Sequence, residues 1–289
     1  MKIILWSAVL AVLVVTCAVS SVAQTQIPPP DEVTVVYGQK IHYVEAGQGP
    51  AVILLHGLGA VKEIWGASMG PLSAKYHVYA LDQIGFGLSD KPLLDYRIAT
   101  FTDFVFGFME VQHLSKATLV GNSLGGWIAL DFALQHPEMV DKVVLVDAAG
   151  LPWQQQPGPA INLNPASFAA TRKMLEALFY DKKKMVTEPF AQTVFMSHMR
   201  NNDGYTIDRT LQGFSTENQF LTEAKLGSIH APTLVVWGRE DALIPLTSGE
   251  KFRDHIPGAK MVVFDQCGHV PQIEKPAEFN RAVVDFLSK

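Results

Sequence analysis

Short, continuously apolar runs recur along the chain, and stretches with helical spacing separate them. Ala51–Leu55 reads AVILL, and similar runs occupy residues 76–81, 142–146 and 232–238. A continuous apolar run of this length is typical of a strand that is buried on both faces of a sheet. Because such strands alternate here with helical patterns, the sequence predicts an α/β fold with a mostly parallel sheet and helices on both faces.

Four more segments complete the predicted sheet. Two strands, at residues 33–37 and 41–44, are joined by a turn at Gly38, another strand begins at Ala117, and the last is Lys260–Phe264. Together with the first four they make an eight-stranded sheet.

The alternation stops between residues 151 and 230. This stretch begins with proline-rich chain and continues with helical patterns, in which Phe168, Leu175 and Leu178 fall on one face. We therefore predict a core built from residues 24–150 and 231–289, and a helical cap insertion at 151–230. Open α/β sheets bind their ligands at the carboxyl edge of the strands, which is where we expect the cap to lie.

The first 23 residues have the features of a secretory signal peptide. Lys2 precedes an apolar run at residues 3–18, and Ser21-Val-Ala23 forms a small-residue cleavage site. We expect cleavage after Ala23 and export to the periplasm or the medium. An uncleaved membrane anchor is the main alternative because the run approaches spanning length, and Thr16-Cys17 faintly resembles a lipoprotein signal.

Composition narrows the possible partners. The 289 residues carry a net charge of −5, and the one basic cluster is at 182–184. We therefore expect a small-molecule substrate and no nucleic-acid partner, and no membrane partner for the mature chain unless the leader is retained. Loss of Cys17 with the leader would leave Cys267 alone, so an intramolecular disulfide is excluded in the mature chain.

A candidate nucleophile lies where the strand from Ala117 meets the next helical pattern. Gly121-Asn-Ser-Leu-Gly125 fits G-x-S-x-G, which places Ser123 on a sharp strand-to-helix turn. Small residues two positions away relieve the strain of such a turn. The following helix start directs free N–H groups toward a developing oxyanion. Ser123 is therefore the predicted nucleophile.

A nucleophilic serine needs a histidine base, and His269 is the candidate. In folds that carry the nucleophile on such a strand-to-helix turn, called a nucleophile elbow, the chain order is serine, acid, histidine. His269 is on a loop directly after the last predicted strand, so its side chain can reach Ser123. The other histidines downstream of Ser123 precede that strand: His136, His198, His230 and His255.

The acid that orients the histidine is predicted to be Asp241. It follows the strand that ends at Gly238, at the same edge of the sheet as the other two residues. Glu240 has the same charge but should point the opposite way in an extended loop. Asp147, directly after an earlier strand, is the main alternative.

Two backbone N–H groups are the candidates for an oxyanion hole. The N–H of Leu124 follows the nucleophile directly. The second donor is expected in His56-Gly57-Leu58-Gly59, where glycines allow a close approach of the backbone, and Leu58 N–H is the predicted group. We interpret His56 as a buried structural residue beneath this loop.

Taken together, these segments resemble the α/β-hydrolase superfamily over nearly the whole mature length. The chain is similar to the capped branch that contains meta-cleavage-product hydrolases, small esterases and cofactor-free perhydrolases, so the resemblance implies no cofactor and no metal. Haloalkane dehalogenases and epoxide hydrolases carry aspartate at the position of Ser123 and are disfavoured. The matching motifs are His56-Gly-Leu-Gly59, Asp82-Gln-Ile-Gly-Phe-Gly-Leu-Ser-Asp90, Gly121-Asn-Ser-Leu-Gly-Gly126, Gly238-Arg-Glu-Asp241 and Gly268-His269.

Two departures from the family pattern direct the functional prediction. Meta-cleavage hydrolases place tryptophan after the catalytic histidine, where this chain has Val270, and an arginine soon after a Thr-Glu stretch, where this chain has none between Glu188 and Arg200. We predict a serine esterase that cleaves a carboxylic ester of a small, largely apolar substrate. The alternatives are carbon–carbon bond hydrolysis of the meta-cleavage type and a slow-turnover small-ligand receptor.

Overall fold

The computed structural model describes residues 29–152, 160–216 and 219–289. The leader predicted at 1–23 lies outside these residues. The strands are β1 Glu32–Val36, β2 Gln39–Ala46, β3 Ala51–Leu55, β4 His77–Leu81, β5 Ala117–Asn122, β6 Val140–Val146, β7 Thr233–Gly238 and β8 Lys260–Phe264.

From β3 to β6 one α-helix lies between each strand and the next, and in the described chain five helices lie between β6 and β7. They are α1 Gly66–Ser73, α2 Ile98–Val111, α3 Leu124–Gln135, α4 Phe168–Leu178, α5 Lys182–Met185, α6 Glu188–Asn201, α7 Gly204–Thr216, α8 Glu223–Gly227, α9 Leu246–His255, α10 Pro271–Glu274 and α11 Pro276–Leu287. Two short 3-10 turns, Lys62–Trp65 and Pro137–Met139, precede α1 and β6.

All eight strands form one sheet in the order β1-β2-β4-β3-β5-β6-β7-β8. β2 pairs antiparallel with β1 and with β4, and every other pairing is parallel. The predicted α/β-hydrolase sheet, eight-stranded and mostly parallel, is confirmed. Its central strands are the continuously apolar ones because helices cover both of their faces.

Alternate residues of each central strand enter opposite layers of the core. In β3, Ile53 and Leu55 pack with the side chains of α2, α3 and α9. Val52 and Leu54 pack on the other face with α1 and α11. Successive side chains of a strand point to opposite faces, so a strand that is covered on both faces needs an apolar residue at every position.

Five helices, α4 to α8, lie between β6 and β7, and the described part of this segment contains no strand. A small apolar cluster joins it to the core, in which Leu175, Phe179, Val186 and Ala191 pack with Val270. The segment therefore rests on the loop that follows β8. Its delimitation as a cap at 151–230 stays a prediction.

The described residues include no helix that is both long enough and apolar enough to cross a bilayer.

Candidate active site

Ser123 occupies a strained turn between β5 and α3. Its φ of 55° and ψ of −116° lie where non-glycine residues are rare. The turn is tight: a Cβ on Gly121 would lie 2.2 Å from the Gly125 carbonyl, and one on Gly125 would lie 2.2 Å from the Leu55 carbonyl oxygen. These contacts are the physical reason for glycine on both sides of the serine.

Backbone hydrogen bonds hold the strained turn in place. Ser123 N–H donates to the Val146 carbonyl at 2.9 Å, and the Ser123 carbonyl accepts from Gly126 and Ala149 N–H, each at 3.0 Å. Ser123 is partly exposed, whereas both of its neighbours are buried. The chain thus presents this one hydroxyl at the carboxyl edge of the sheet.

His269 and Asp241 are brought together from two separate loops. His269 Nδ1 lies 2.7 Å from Asp241 Oδ2, and both residues are buried. Asp241 Oδ1 accepts the N–H groups of Leu243 at 2.8 Å and Ile244 at 3.0 Å. These bonds fix the carboxylate as an acceptor, so Nδ1 of the imidazole donates and Nε2 is left for other partners.

The loop that carries His269 is tied to the residue before the nucleophile. Asn122 Nδ2 donates to the His269 carbonyl and to the Val146 carbonyl, each at 3.1 Å. Sequence reasoning did not assign a role to Asn122. The sequence signal was an asparagine, whose side chain is an amide, at the variable position directly before the serine in G-x-S-x-G.

The same loop is also tied to the segment above it. His269 N–H donates to the Leu178 carbonyl at 2.8 Å. Glu274 Oε1 accepts from Gly268 N–H at 2.7 Å, and its Oε2 accepts from Tyr180 N–H at 2.9 Å. Burial raises the pKa of Glu274. This bridging role of Glu274 has no local sequence signature, because its two partners are far apart in the chain.

The two alternative acids occupy different positions. Glu240 Oε2 accepts from Cys267 N–H at 3.0 Å. Asp147 is fully buried, and its Oδ1 accepts from Gly238 N–H at 3.0 Å. The hydrogen bond to His269 Nδ1 is made by Asp241. Among the described residues, Asp147, Asp241 and His269 also form the one cluster with metal-ligand spacing, but that Asp241–His269 hydrogen bond already occupies Nδ1.

The two residues predicted to supply the oxyanion donors, Leu58 and Leu124, belong to segments next to Ser123. Leu124 is the first residue of α3, so its N–H is one of the helix's free donors. The loop with Leu58 follows β3, and a Cβ on Gly57 would lie 3.2 Å from the Ser123 Cβ. Leu58, Gly57 and Ser123 all line the same cavity.

His56 lies beneath this loop, as expected for a structural residue. Its Nδ1 donates to the Gly57 carbonyl at 2.7 Å, and its Nε2 accepts from Gln83 N–H at 3.1 Å. Burial lowers the pKa of His56 and favours the neutral ring. The two hydrogen bonds are those of one neutral tautomer, so His56 fixes the shape of the loop.

A cavity of about 510 Å³ opens beside Ser123 and His269. Its walls are mostly apolar, and Phe179 and Phe190 of the predicted cap contribute to them. Of the other large apolar side chains in the predicted cap, Met196 and Met199 are exposed and Phe168 packs against Phe195, while Trp153 lies outside the described residues. Other apolar lining residues are Val61, Ile64, Leu163, Met174, Leu175, Leu178, Val194, Ile207, Leu243, Val270 and Ile273.

His198 is the one cap side chain in this lining that can carry a positive charge, among the residues described. Its Nδ1 lies 2.7 Å from Asp203 Oδ1, and the Asp203 side chain is 1% exposed. The sequence indicated no role for His198 beyond its place within residues 151–230. The structure instead gives it a carboxylate partner and a place on the cavity wall.

No arginine of the predicted cap is among the described residues that line this cavity. Arg172 pairs with Glu176 and Glu188 on the surface. Arg200 lines an adjoining surface cavity, which shares Glu63, Thr193 and Ser197 with the cavity beside Ser123. Lysine and arginine are thus absent from the described lining beside Ser123.

Comparison with known proteins agrees with this architecture. A family model for the alpha/beta hydrolase fold matches residues 50–276, most of the chain. The chain therefore belongs to the α/β-hydrolase family of enzymes.

Its relatives include a dienoate hydrolase and a meta-cleavage product hydrolase. It is 36% identical over 260 residues to the 2-hydroxy-6-oxo-6-phenylhexa-2,4-dienoate hydrolase of Comamonas testosteroni, covering 86% of this chain and 91% of the relative. A solved meta-cleavage product hydrolase of Pseudomonas fluorescens IP01 is 30% identical, with a TM-score of 0.81 and coverage of 89% and 97%. A solved membrane phospholipase A is 29% identical, with a TM-score of 0.78 and coverage of 90% and 86%.

Proposed function

We propose that this hydrolase cleaves a carboxylic ester of a small, largely apolar substrate through a Ser123–His269–Asp241 triad. Ser123 Oγ attacks the ester carbonyl carbon while His269 Nε2 takes the hydroxyl proton. The negative charge that develops on the carbonyl oxygen is stabilised by the N–H groups of Leu58 and Leu124.

Collapse of the resulting tetrahedral intermediate completes the first half of the reaction. His269 gives its proton to the alkoxide leaving group, and the C–O bond breaks to leave an acyl group on Ser123. In the second half a water molecule loses a proton to His269 and attacks the acyl carbon. The bond between that carbon and Ser123 Oγ then breaks, and His269 returns the proton to Oγ as the acid leaves. Asp241 holds the imidazole orientation and stabilises the imidazolium in both halves.

The composition of the cavity wall is the observation that carries the ester proposal. A neutral ester needs an apolar groove beside the nucleophile, which the described lining supplies. A substrate carboxylate would instead have to be desolvated there. That costs several kcal/mol unless a charged donor offsets it.

The residues of α6 that face the cavity support the same proposal. They are Phe190, Thr193, Val194, Ser197 and His198, so the part of the chain after Thr187-Glu188 offers phenylalanine, threonine and valine where the resemblance leads one to expect arginine. The likeness to a membrane phospholipase A also supports ester hydrolysis.

A second candidate is carbon–carbon bond hydrolysis of a dienoate acid. The relatives favour this alternative over the ester: the Comamonas enzyme named above is a dienoate hydrolase. In this chain the His198–Asp203 pair is the group on the described cavity wall that could receive the substrate carboxylate.

One comparison decides between the two reactions. We expect kcat/KM for p-nitrophenyl hexanoate to exceed that for 2-hydroxy-6-oxo-6-phenylhexa-2,4-dienoate by about 100-fold, which corresponds to roughly 3 kcal/mol of discrimination. Both substrates are measured on one preparation, with Ser123→Ala as the control for background hydrolysis. A preference for the dienoate that is lost in His198→Ala would establish the second candidate instead. A single turnover without cycling on either substrate would indicate a receptor.

We also propose that residues 1–23 direct export and are removed. The basis is Lys2, the apolar run and Ser21-Val-Ala23. Intact mass of protein from a secreting host should correspond to a chain that begins at Gln24. A full-length species in the membrane fraction would support the anchor alternative.

A further inference from the structure

Asp147 is a buried acid to which the triad chemistry gives no role. It follows β6 directly and has 0% exposure. Its N–H donates to the Val236 carbonyl at 3.0 Å, and its Oδ1 accepts from Gly238 N–H at 3.0 Å. Its φ of 42° is in the left-handed region, which aspartate tolerates better than most residues. The side chain is thereby directed across the end of β7.

The surroundings of this carboxyl are acidic. Asp147, Asp241 and His269 have ligand atoms within 4.8 Å of one another. Glu274 and the Cys267 thiol are the other titratable groups that face it. In the described part of the chain, neither lysine nor arginine forms an ion pair with Asp147.

The two carboxyl groups cannot both be ionised without a large cost. A carboxyl oxygen of Asp147 lies within 4.8 Å of one of Asp241. As a carboxylate, Asp147 would repel Asp241, and its buried Oδ2 would have no hydrogen-bond partner. As a carboxylic acid, it has a proton to donate, and Asp241 is the acceptor beside it.

The hydrogen bonds decide which group keeps the charge. Asp241 accepts from His269 Nδ1 and from two backbone N–H groups, whereas Asp147 accepts from Gly238 N–H alone. Donors favour the ionised form, so the negative charge belongs on Asp241. Burial, and then the charge of Asp241, raise the pKa of Asp147 well above its usual range.

We propose that Asp147 is a positioning residue of the triad, a neutral carboxylic acid that donates a hydrogen bond to the Asp241 carboxylate. This inference rests on the triad of the proposed function but not on which substrate is cleaved. The donated bond fixes the carboxylate from the side that Leu243 and Ile244 leave open. It also draws charge from Asp241, which moderates the basicity of His269.

Substitution with asparagine and with alanine separates this role from a purely structural one. Asparagine can still accept from Gly238 N–H and can donate from Nδ2 toward Asp241. Alanine removes both bonds. We expect Asp147→Ala to lower kcat by about tenfold, on the scale of hydrogen-bond partners that orient a functional histidine. We expect Asp147→Asn to recover most of that loss.

The acid limb of kcat/KM against pH gives the second readout. Loss of the donor should strengthen the pull of Asp241 on the imidazolium, so Asp147→Ala should move the midpoint up by about half a pH unit. Asp147→Asn should keep the midpoint of the native enzyme. A lower midpoint in Asp147→Asn would mean that the native group is ionised, and an unmoved midpoint in Asp147→Ala would mean a structural brace only. Either result overturns the proposal.

Infrared spectroscopy tests the protonation directly, and does so even if Asp147→Ala fails to fold. At neutral pH the folded enzyme should show the C=O stretch of a protonated carboxyl group that is missing in Asp147→Asn. A native spectrum without that band would overturn the proposal. Full activity in Ser123→Ala or Asp241→Asn would instead show that the triad itself is wrong.

Discussion

The side-chain amide of Asn122 lies 3.1 Å from the carbonyl oxygen of His269, although 147 positions separate the two residues in the chain. The residue before the nucleophile therefore helps to position the loop that carries His269. A second bond from the same amide to the Val146 carbonyl prevents the side chain from rotating away. Together with the bonds to Leu178 and Glu274, this buried side chain, which takes no part in the reaction, holds the loop at its distance from the serine.

Removing this amide should impair catalysis more than binding. We expect Asn122→Ala to lower kcat about tenfold or more, because small displacements of reacting groups are costly, and to change KM little. Stability should fall by about 1–2 kcal/mol for the two lost hydrogen bonds. Steady-state kinetics and urea unfolding measure the two effects. An unchanged kcat would show that the loop holds its position without Asn122.

The nucleophile can be identified by covalent labelling. A fluorophosphonate should modify Ser123 alone, and Ser123→Ala should fold but stay unlabelled. Because triad members act as a unit, Ser123→Ala and His269→Ala should each remove most of an effect of about 10⁴- to 10⁶-fold in kcat. Mass spectrometry of the labelled peptide gives the site. A labelled peptide that lacks Ser123 would contradict the assignment.

The contact distances in the turn around Ser123 predict that Gly125 cannot be replaced by a larger residue. Gly125→Ala places a Cβ 2.2 Å from backbone oxygen of Leu55, and since this is a backbone atom it cannot rotate aside. We expect a loss of about 3 kcal/mol or more in the free energy of unfolding, or failure to fold. Gly66→Ala is the matched control. It is helical and has open space around its Cβ, so it should gain up to about 1 kcal/mol. Equal effects in calorimetry would argue against this account.

The raised pKa of Asp147 also predicts how stability depends on pH. Between the ordinary aspartate range and the raised value, the folded protein binds a proton that the unfolded chain has released. Stability contributed by this group is therefore lost as pH rises through that window, at up to about 1.4 kcal/mol per pH unit. Asp147→Asn lacks this proton, so its stability relative to the native protein should increase with pH. Urea unfolding of both proteins across the window measures it, and a constant difference would count against a neutral Asp147.

The parts that the sequence predicted are those governed by local chemistry. An apolar run such as Ala51–Leu55 already specifies a doubly covered strand, and Gly121 and Gly125 specify the turn around Ser123. The approach of Asp241 to His269 followed from topology, since both loops leave parallel strands at the same edge. Local pattern and chain order were therefore enough for the fold and for these five positions.

The contacts that the sequence could not predict are long-range and use generic groups. Asn122 meets His269 through a backbone carbonyl, and Glu274 meets Tyr180 through a backbone N–H. Any residue offers such backbone partners, so no side-chain pattern marks them. The partnership of His198 with Asp203 was missed for a related reason. It joins the end of one helix to the start of the next, where the exact turn decides whether the two side chains meet.

The bond from His269 N–H to the Leu178 carbonyl has a consequence for engineering. Exchanging the helices above the sheet between relatives is an obvious way to change substrate preference. In this enzyme such a graft would also remove a support of the imidazole, unless residues 178–180 and Glu274 were kept as one unit. A chimera that retains them changes only the walls of the cavity. One that replaces them acquires a new pocket together with a misplaced base.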